Sequence, residues 1–270
     1  MKTLSHYCRM AGTYFKYNIQ SELEYPANII GWTIINPFHF VFGIISLKII
    51  ISSFQPLGGW TFEQAMFLYG LGTMSHGFSI LLFDQTWYMD SKITEGTFDL
   101  LLIRPLNVFF QYCFERFNFP GISNMLCGII MFWYGCHIVD FNFTPINTLL
   151  ITIVIFGATL IRGGIFTITG SLSFWILRVR QIIYIDNSLF DLTNKYPMSI
   201  FPQLIQGIFT FLLPIGFVCF YPASEFFNIK TQFTLPGNLC VWTLVIGIVL
   251  YIIGILVFNF GIKRYESAGS

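Results

Sequence analysis

Charge is scarce in this chain. Asp, Glu, Lys and Arg together make up 10% of its 270 residues, against 55% hydrophobic residues, a balance that soluble globular domains do not carry. The formal net charge is +1, and the clusters of Lys and Arg that neutralise a phosphate backbone are missing, which excludes a nucleic-acid partner. The cysteines, Cys8, Cys113, Cys127, Cys136, Cys219 and Cys240, include no CxxC pair. Most lie in apolar runs and read as small buried hydrophobes, not as metal or redox ligands. A GK[ST] phosphate loop, a GxSxG elbow and a HExxH helix are also missing. Nucleotide phosphates need backbone amides and a lysine to cradle them, so the chain carries no ATPase site of its own. His39, His76 and His137 stand far apart in sequence and read as packing or interfacial histidines. We therefore assign no catalytic residue, no metal site and no cofactor to this chain. The first ten residues contain no compact apolar stretch followed by a small-residue cleavage site, so they do not read as a cleaved signal peptide.

Long apolar runs are abundant. A bilayer core about 30 Å thick needs roughly 20 apolar residues per helix. Windows of that kind cover about residues 29–51, 62–83, 117–138, 147–175, 201–220 and 239–261. The fourth is too long for one untilted span, and its last residues, Phe174 to Leu177, are expected in the interface. These windows predict an all-α, polytopic membrane protein with six transmembrane helices. The connections are too short for a separate core, so residues 1–270 form a single transmembrane domain.

Basic residues favour the cytoplasmic side of short loops. With the N-terminus inside, that side receives Lys2, Arg9, Lys16, Lys92, Arg104, Arg116, Arg178, Arg180, Lys195, Lys263 and Arg264, eleven of the fourteen. Lys48 and Lys230 fall outside and Arg162 lies within a span, so both termini are expected to be cytoplasmic. Before the first span, Tyr7, Met10, Ala11, Tyr14, Phe15 and Asn18 recur at helical spacing, with Lys16, Glu22 and Glu24 on other faces. Residues 1–26 thus read as an amphipathic helix in the inner interface, ended by Pro26. On its residues alone such a helix reads as an ordinary juxtamembrane anchor. At the outer side, residues 221–238 form an aromatic-rich loop or re-entrant hairpin.

The region 84–116 is a polar island between greasy stretches. Asp84 and Asp90 follow the second span, and Trp87 and Tyr88 can anchor the chain at the interface. Gly96 permits a sharp turn, Thr97 can cap a short helix, and Asp99 sits near that helix's positive end. Pro105 blocks its continuation. Leu100 to Leu102 are candidates for burial, and Asp99 and Arg104 for polar contacts. An ordinary polar loop and a stiff element that transmits a push both fit these residues. Arg162 is the charge clearly inside a span, and an unpaired guanidinium in hydrocarbon costs several kcal/mol. Two readings stand: it lines a dimer cavity and meets an anionic cargo or lipid headgroup, or it snorkels from an offset span or pairs with a structural carboxylate.

The segment Glu95-Gly-Thr-Phe-Asp-Leu-Leu-Leu-Ile-Arg-Pro-Leu-Asn107 resembles the cytoplasmic loop after the second transmembrane helix of type-2 ABC transporter permeases, in a branch of uncharacterised permease components. Gly58 to Gln64, Gly170 to Trp175, Tyr196-Pro197 through Phe201-Pro202, Tyr221-Pro222-Ala223 and Arg264 to Ser270 resemble further landmarks of that family, in the same order along the chain. The resemblance implies a permease forming half of an exporter's membrane unit in a bacterial cytoplasmic membrane. Its implied partners are a second permease, identical or homologous, and two ATP-binding subunits, which hold the ATP and Mg. It further implies that Glu95, Gly96, Thr97, Asp99, Leu102, Arg104 and Pro105 form the loop on which those subunits press. Cargo stays open among amphiphilic drugs, peptides, lipids and polysaccharide precursors. Two other classes compete. An ion-coupled secondary transporter needs carboxylates inside its spans, whereas Asp and Glu here are expected mainly at span ends. A membrane scaffold needs no site at all.

Overall fold

The computed structural model describes residues 2–24, 26–53, 58–176 and 178–266. Leu177, the landmark residues Ser267 to Ser270 and the side chains of Lys2 and Glu22 lie outside the described residues. The described chain is helical and contains no strand. Helices satisfy their own backbone polar groups, the condition for a chain that crosses lipid.

Helix α1 (Lys2–Glu24) is followed by α2 (Pro26–Ser53), with Pro26 at the first helical position, where its missing N–H costs nothing. Helix α3 (Phe62–Phe83) starts at a reciprocal capping box. The Thr61 hydroxyl accepts from the Gln64 N–H at 3.3 Å, and the Gln64 side chain accepts from the Thr61 N–H at 3.1 Å. After the turn Asp84–Tyr88 come three short helices, α4 (Met89–Thr94), α5 (Asp99–Leu102) and α6 (Val108–Glu115). Helix α7 (Pro120–Ile138) follows, and α8 (Pro145–Ser171) begins at Thr144, whose hydroxyl accepts from Asn147 N–H. Helices α2, α3, α7, α8 and α12 (Leu239–Ile262) are each long and apolar enough to cross a membrane.

Two helix pairs form the frame, and glycine sets both. Helices α3 and α7 run antiparallel: Gly70 meets Phe132, Gly77 meets Met125, Gly128 meets Met74 and Gly135 meets Phe67. A Cβ on Gly70 would fall 2.5 Å from the Phe132 Cα, so only hydrogen fits. Helices α8 and α12 run parallel, with Gly157 against Leu244, Gly164 against Leu250, and Gly247 and Gly254 against the carbonyl oxygens of Gly157 and Gly164. The glycines recur every seven residues, which holds them on one face of each helix and lets the backbones touch.

Because α8 and α12 are parallel, the chain between them must return along the bundle. The expected fifth span, 201–220, does not make this return. It breaks into α10 (Gln203–Gly207), a π-helical turn at Ile208–Leu212, a bend at Leu213-Pro214, a short turn at Ile215–Phe217 and α11 (Phe220–Phe226). Pro214 has no N–H to continue the ladder. The Tyr221 hydroxyl lies 2.6 Å from that of Thr210, which shows that the chain has folded back on itself. This hairpin packs on the end of the bundle where α3 begins, with Phe220 beside buried Trp60 and Phe226 beside Phe67.

The return is made instead by α9 (Arg180–Lys195). It runs antiparallel to α8, with Asp186 beside Thr169 and Phe190 beside Phe166. At one end Arg180 pairs with Asp90 at 3.2 Å. Toward the other end Asn194 lies against Gly72 of α3, and the following Ser199 hydroxyl donates to Gly58 O at 2.9 Å, beside the start of α3. Sixteen residues of helix span about 24 Å, and Tyr196 to Phe201 cover the remainder. Lys195, expected beside the N-terminal side, therefore moves into the bundle and toward the opposite end. The basic residues on the N-terminal side then number ten instead of eleven, and the bias stays the same in sign.

Candidate functional site

The loop that precedes α7 is not loose. Gly96 takes φ +69°, the left-handed geometry that glycine tolerates, and turns the chain between α4 and α5. Thr97 does not cap α5 as expected; its hydroxyl donates to Lys92 O at 3.3 Å, which fastens the turn to α4. Phe98 drops into the bundle. Fully buried, it meets Phe174 after α8, Phe258 of α12 and Tyr265, with ring centroids 5.3, 6.4 and 5.0 Å away. The Gln111 side chain, itself buried, donates to Leu101 O and Leu106 O, both at 3.0 Å, so α6 holds both ends of the 101–106 strip. Asn107 caps α6 by accepting from Phe110 N–H at 3.0 Å.

Of the three leucines expected to be buried, only Leu101 is. Leu100 is 52% exposed, Leu102 40% and the adjacent Ile103 77%. Glu95, Thr97, Arg104 and Pro105 are exposed around them, while Gly96 and Asp99 are half-buried. Helix α1 clasps this strip with the face that its sequence marked out. Arg104 donates to the Tyr14 hydroxyl at 3.2 Å, Asn107 N–H donates to the Tyr7 hydroxyl at 3.4 Å, and Tyr7 packs edge-on against Phe110. The Phe117 N–H donates to Asn18 at 3.3 Å.

Above the loop lies a cavity of about 600 Å³ between α2, α3, α7 and α9. Asp84 and Arg116, 3.3 Å apart, belong to its lining, with the Arg116 guanidinium 4.0 Å over the Tyr88 ring. Helix α9 forms one wall through Arg180, Tyr184, Asn187, Asp191 and Lys195. These residues lie at helical spacing on a single face, while Ile183 and Phe190 on the adjoining face are buried in the core. That stripe was the available signal in the sequence. A search for apolar windows passes over it because the lining side chains are polar.

Arg162 stands one layer behind this cavity. It is fully buried and its Nη1 lies 2.9 Å from His76 Nδ1. Among the described residues it meets no carboxylate at salt-bridge distance; its guanidinium lies 4.2 Å over the Phe190 ring. An arginine only donates, so His76 Nδ1 accepts, and a neutral His76 carries its proton on Nε2. His76, unlike Arg162, lines the cavity. The structure also brings His39 and His76 to the same cavity, although 37 positions separate them in sequence.

The predicted site residues thus fall into two groups. Glu95, Gly96, Thr97, Asp99, Leu102, Arg104 and Pro105 share one strip at the loop end of the bundle, and Arg162 belongs to the bundle interior. Sequence reasoning missed Phe98, Gln111 and the whole polar wall of α9. No curated protein and no solved structure matches the chain. A family model described as ABC-2 family transporter protein matches residues 38–269, from the middle of α2 through α12. With that match over most of its length and a bundle of apolar helices able to cross a membrane, the chain is a multi-pass membrane permease of the ABC-2 transporter family.

Proposed function

We propose that this chain is the membrane subunit of an ATP-driven exporter, that it works with a second permease, and that separate ATP-binding subunits press on residues 95–106. Both termini then lie in the cytoplasm and the 84–116 region faces the ATP-binding subunits, in keeping with the basic residues at this end. ATP and Mg belong to those subunits. The observation that carries the reading is the two-sided construction of the loop. Its inner side is wedged by Phe98 between the ends of α8 and α12, and its outer side presents Leu100, Leu102 and Ile103. Exposed apolar side chains ringed by polar ones suit a partner interface. A push on that surface reaches α8 and α12 through close-packed rings, which transmit displacement because packed interiors compress little. The same push reaches α1 through Tyr14 and Tyr7.

Ion-coupled secondary transport is the second reading, and one observation favours it. Asp191 faces the cavity inside the bundle, an exception to the expectation that Asp and Glu lie mainly at span ends. One experiment separates the two. The tagged chain is purified in mild detergent after crosslinking, and copurifying proteins are identified by mass spectrometry. The exporter reading expects stoichiometric ATP-binding subunits, and expects Leu102→Asp or Arg104→Ala to leave insertion intact while uncoupling ATP hydrolysis from transport. Recovery of this chain alone, or unaltered coupling in both variants, contradicts it.

A further inference from the structure

Helix α1 lies along the end of the bundle where several apolar spans begin or finish, and three contacts along its length place it there. Toward its start Tyr7 packs on Phe110 of α6, and the neighbouring Phe109 packs on Phe258 near the end of α12. At its middle Phe15 packs on Phe117 and Phe119, directly before α7, with ring centroids 5.0 and 5.9 Å away. At its end only Tyr25 separates Glu24 from Pro26, the first residue of α2. A helix that meets the ends of three different spans at three points along its axis runs along the membrane surface and does not project from it.

Around its circumference α1 presents four sectors, ordered by the helical repeat. Tyr7, Tyr14 and Asn18 grip the loop. Beside them runs an apolar edge that includes Phe15 and Leu23, 44% and 64% exposed. Lys16 and Arg9 come next, followed by Gln20 and Thr13, all exposed. The two cations therefore sit on the border between an apolar edge and a polar one. There a long basic side chain lays its stem along lipid tails and keeps its charge among the headgroups. Arg9 and Lys16 are seven residues apart, about 10 Å along the axis, and Lys2 stands a further seven back in the sequence. Among the described residues neither Arg9 nor Lys16 forms an ion pair. Residues 2–21 contain no Asp or Glu. A face that only meets water ordinarily mixes both signs; this one carries a single sign at headgroup level.

We propose that the outward face of α1 docks on the anionic lipids of the leaflet it lies against, with Arg9 and Lys16 meeting lipid phosphates and the Phe15–Leu23 edge dipping below them. Charge complementarity carries the assignment, because an unpaired basic stripe at that depth faces a surface of opposite sign. Through Tyr14 and Tyr7 the docked helix would brace Arg104 and Asn107 from the membrane side. The binding does not depend on the exporter reading.

The test uses the full chain in nanodiscs, with the six cysteines replaced and an environment-sensitive dye on Gly12→Cys. Gly12 lies between the apolar edge and the cations, and a Cβ there meets nothing within 4 Å. Each cation near an anionic surface favours the docked helix roughly fivefold. As phosphatidylglycerol replaces phosphatidylcholine, the dye emission is therefore expected to move to shorter wavelength and its quenching by acrylamide to fall. Raising the salt should reverse both changes, since it screens surface charge. The pair Arg9→Gln and Lys16→Gln is expected to abolish the response, and the charge-conserving pair Arg9→Lys and Lys16→Arg to keep it. Melting curves establish that each variant is folded. Equal signals in the two lipids, a response that survives the glutamine pair, or one lost in the charge-conserving pair would overturn the proposal. A dye that ignores the lipid and responds only when ATP-binding subunits are added would overturn it too, and would give this face to them. Those subunits are absent from the lipid titration, so its failure leaves the exporter reading intact.

Discussion

Along α3 with α7, and α8 with α12, the helices meet through glycine and their backbones nearly touch; along α9 the chain instead presents a polar face to a cavity and buries the face beside it. The difference reflects the solvent. In a bilayer the hydrophobic effect does not drive one apolar helix onto another, so tight van der Waals contact has to supply the attraction. The glycine-laced pairs therefore tolerate almost no added volume. A polar helix has no such option in lipid, and is held where neighbouring helices and their side chains surround it. Asp186 illustrates this: buried within the bundle, it accepts from the Thr169 hydroxyl at 2.6 Å.

The sharpest way to break this comparison is to place leucine in each region. Gly128→Leu would force a side chain into the Met74 backbone, where even a Cβ would approach within 2.6 Å. We expect a loss of about 3 kcal/mol or more, as overpacking against backbone leaves nothing free to move, read as a lower unfolding midpoint in detergent and a smaller folded yield. Asn187→Leu, on the cavity face of α9, adds bulk to open space and should change stability by no more than about 1 kcal/mol. If both variants melted together, the contrast between the two regions would be wrong.

A smaller effect distinguishes the loop from a merely exposed segment. Burial pushes the Cys113 thiol in α6 up to about 12, so at neutral pH it stays protonated and unreactive. Cys8 in α1 is exposed. Brief treatment with maleimide at pH 7 should modify Cys8 and spare Cys113, and labelling of Cys113 should rise only when Gln111→Ala loosens the strip it holds. Equal modification of the two cysteines would mean that α6 is not packed as described.

Much of the frame was legible in the sequence. The windows around 29–51, 62–83, 117–138, 147–175 and 239–261 correspond to α2, α3, α7, α8 and α12, because length and apolarity are what lipid demands of an isolated helix. The Tyr7, Tyr14 and Asn18 face of α1 was legible from its spacing, though not the surface it grips. The fifth window misled for a physical reason. Residues 201–220 are as greasy as a span, but Pro214 and the close Thr210–Tyr221 contact fold them back. Helix α9 was hidden because its polar residues face a cavity and its buried side packs on α3 and α8, information that resides in tertiary contacts. Phe98 escaped notice for a related reason. Nothing local distinguishes it from Leu100, and its burial depends on Phe258 and Tyr265, more than 150 residues away.

The polar helix, not the greasy segment after it, carries the chain back along the bundle, and its sidedness in an intact membrane puts this to the test. Gln181→Cys and Ile200→Cys, exposed positions flanking the return, are introduced separately into a variant with Cys8, Cys113, Cys127, Cys136, Cys219 and Cys240 replaced. Each is then challenged with a membrane-impermeant thiol reagent from one face at a time. The two are expected to be labelled from opposite faces, with the cysteine at 181 on the same face as one placed at Ile103. Labelling of both from the same face would contradict it and return the fifth crossing to residues 201–220.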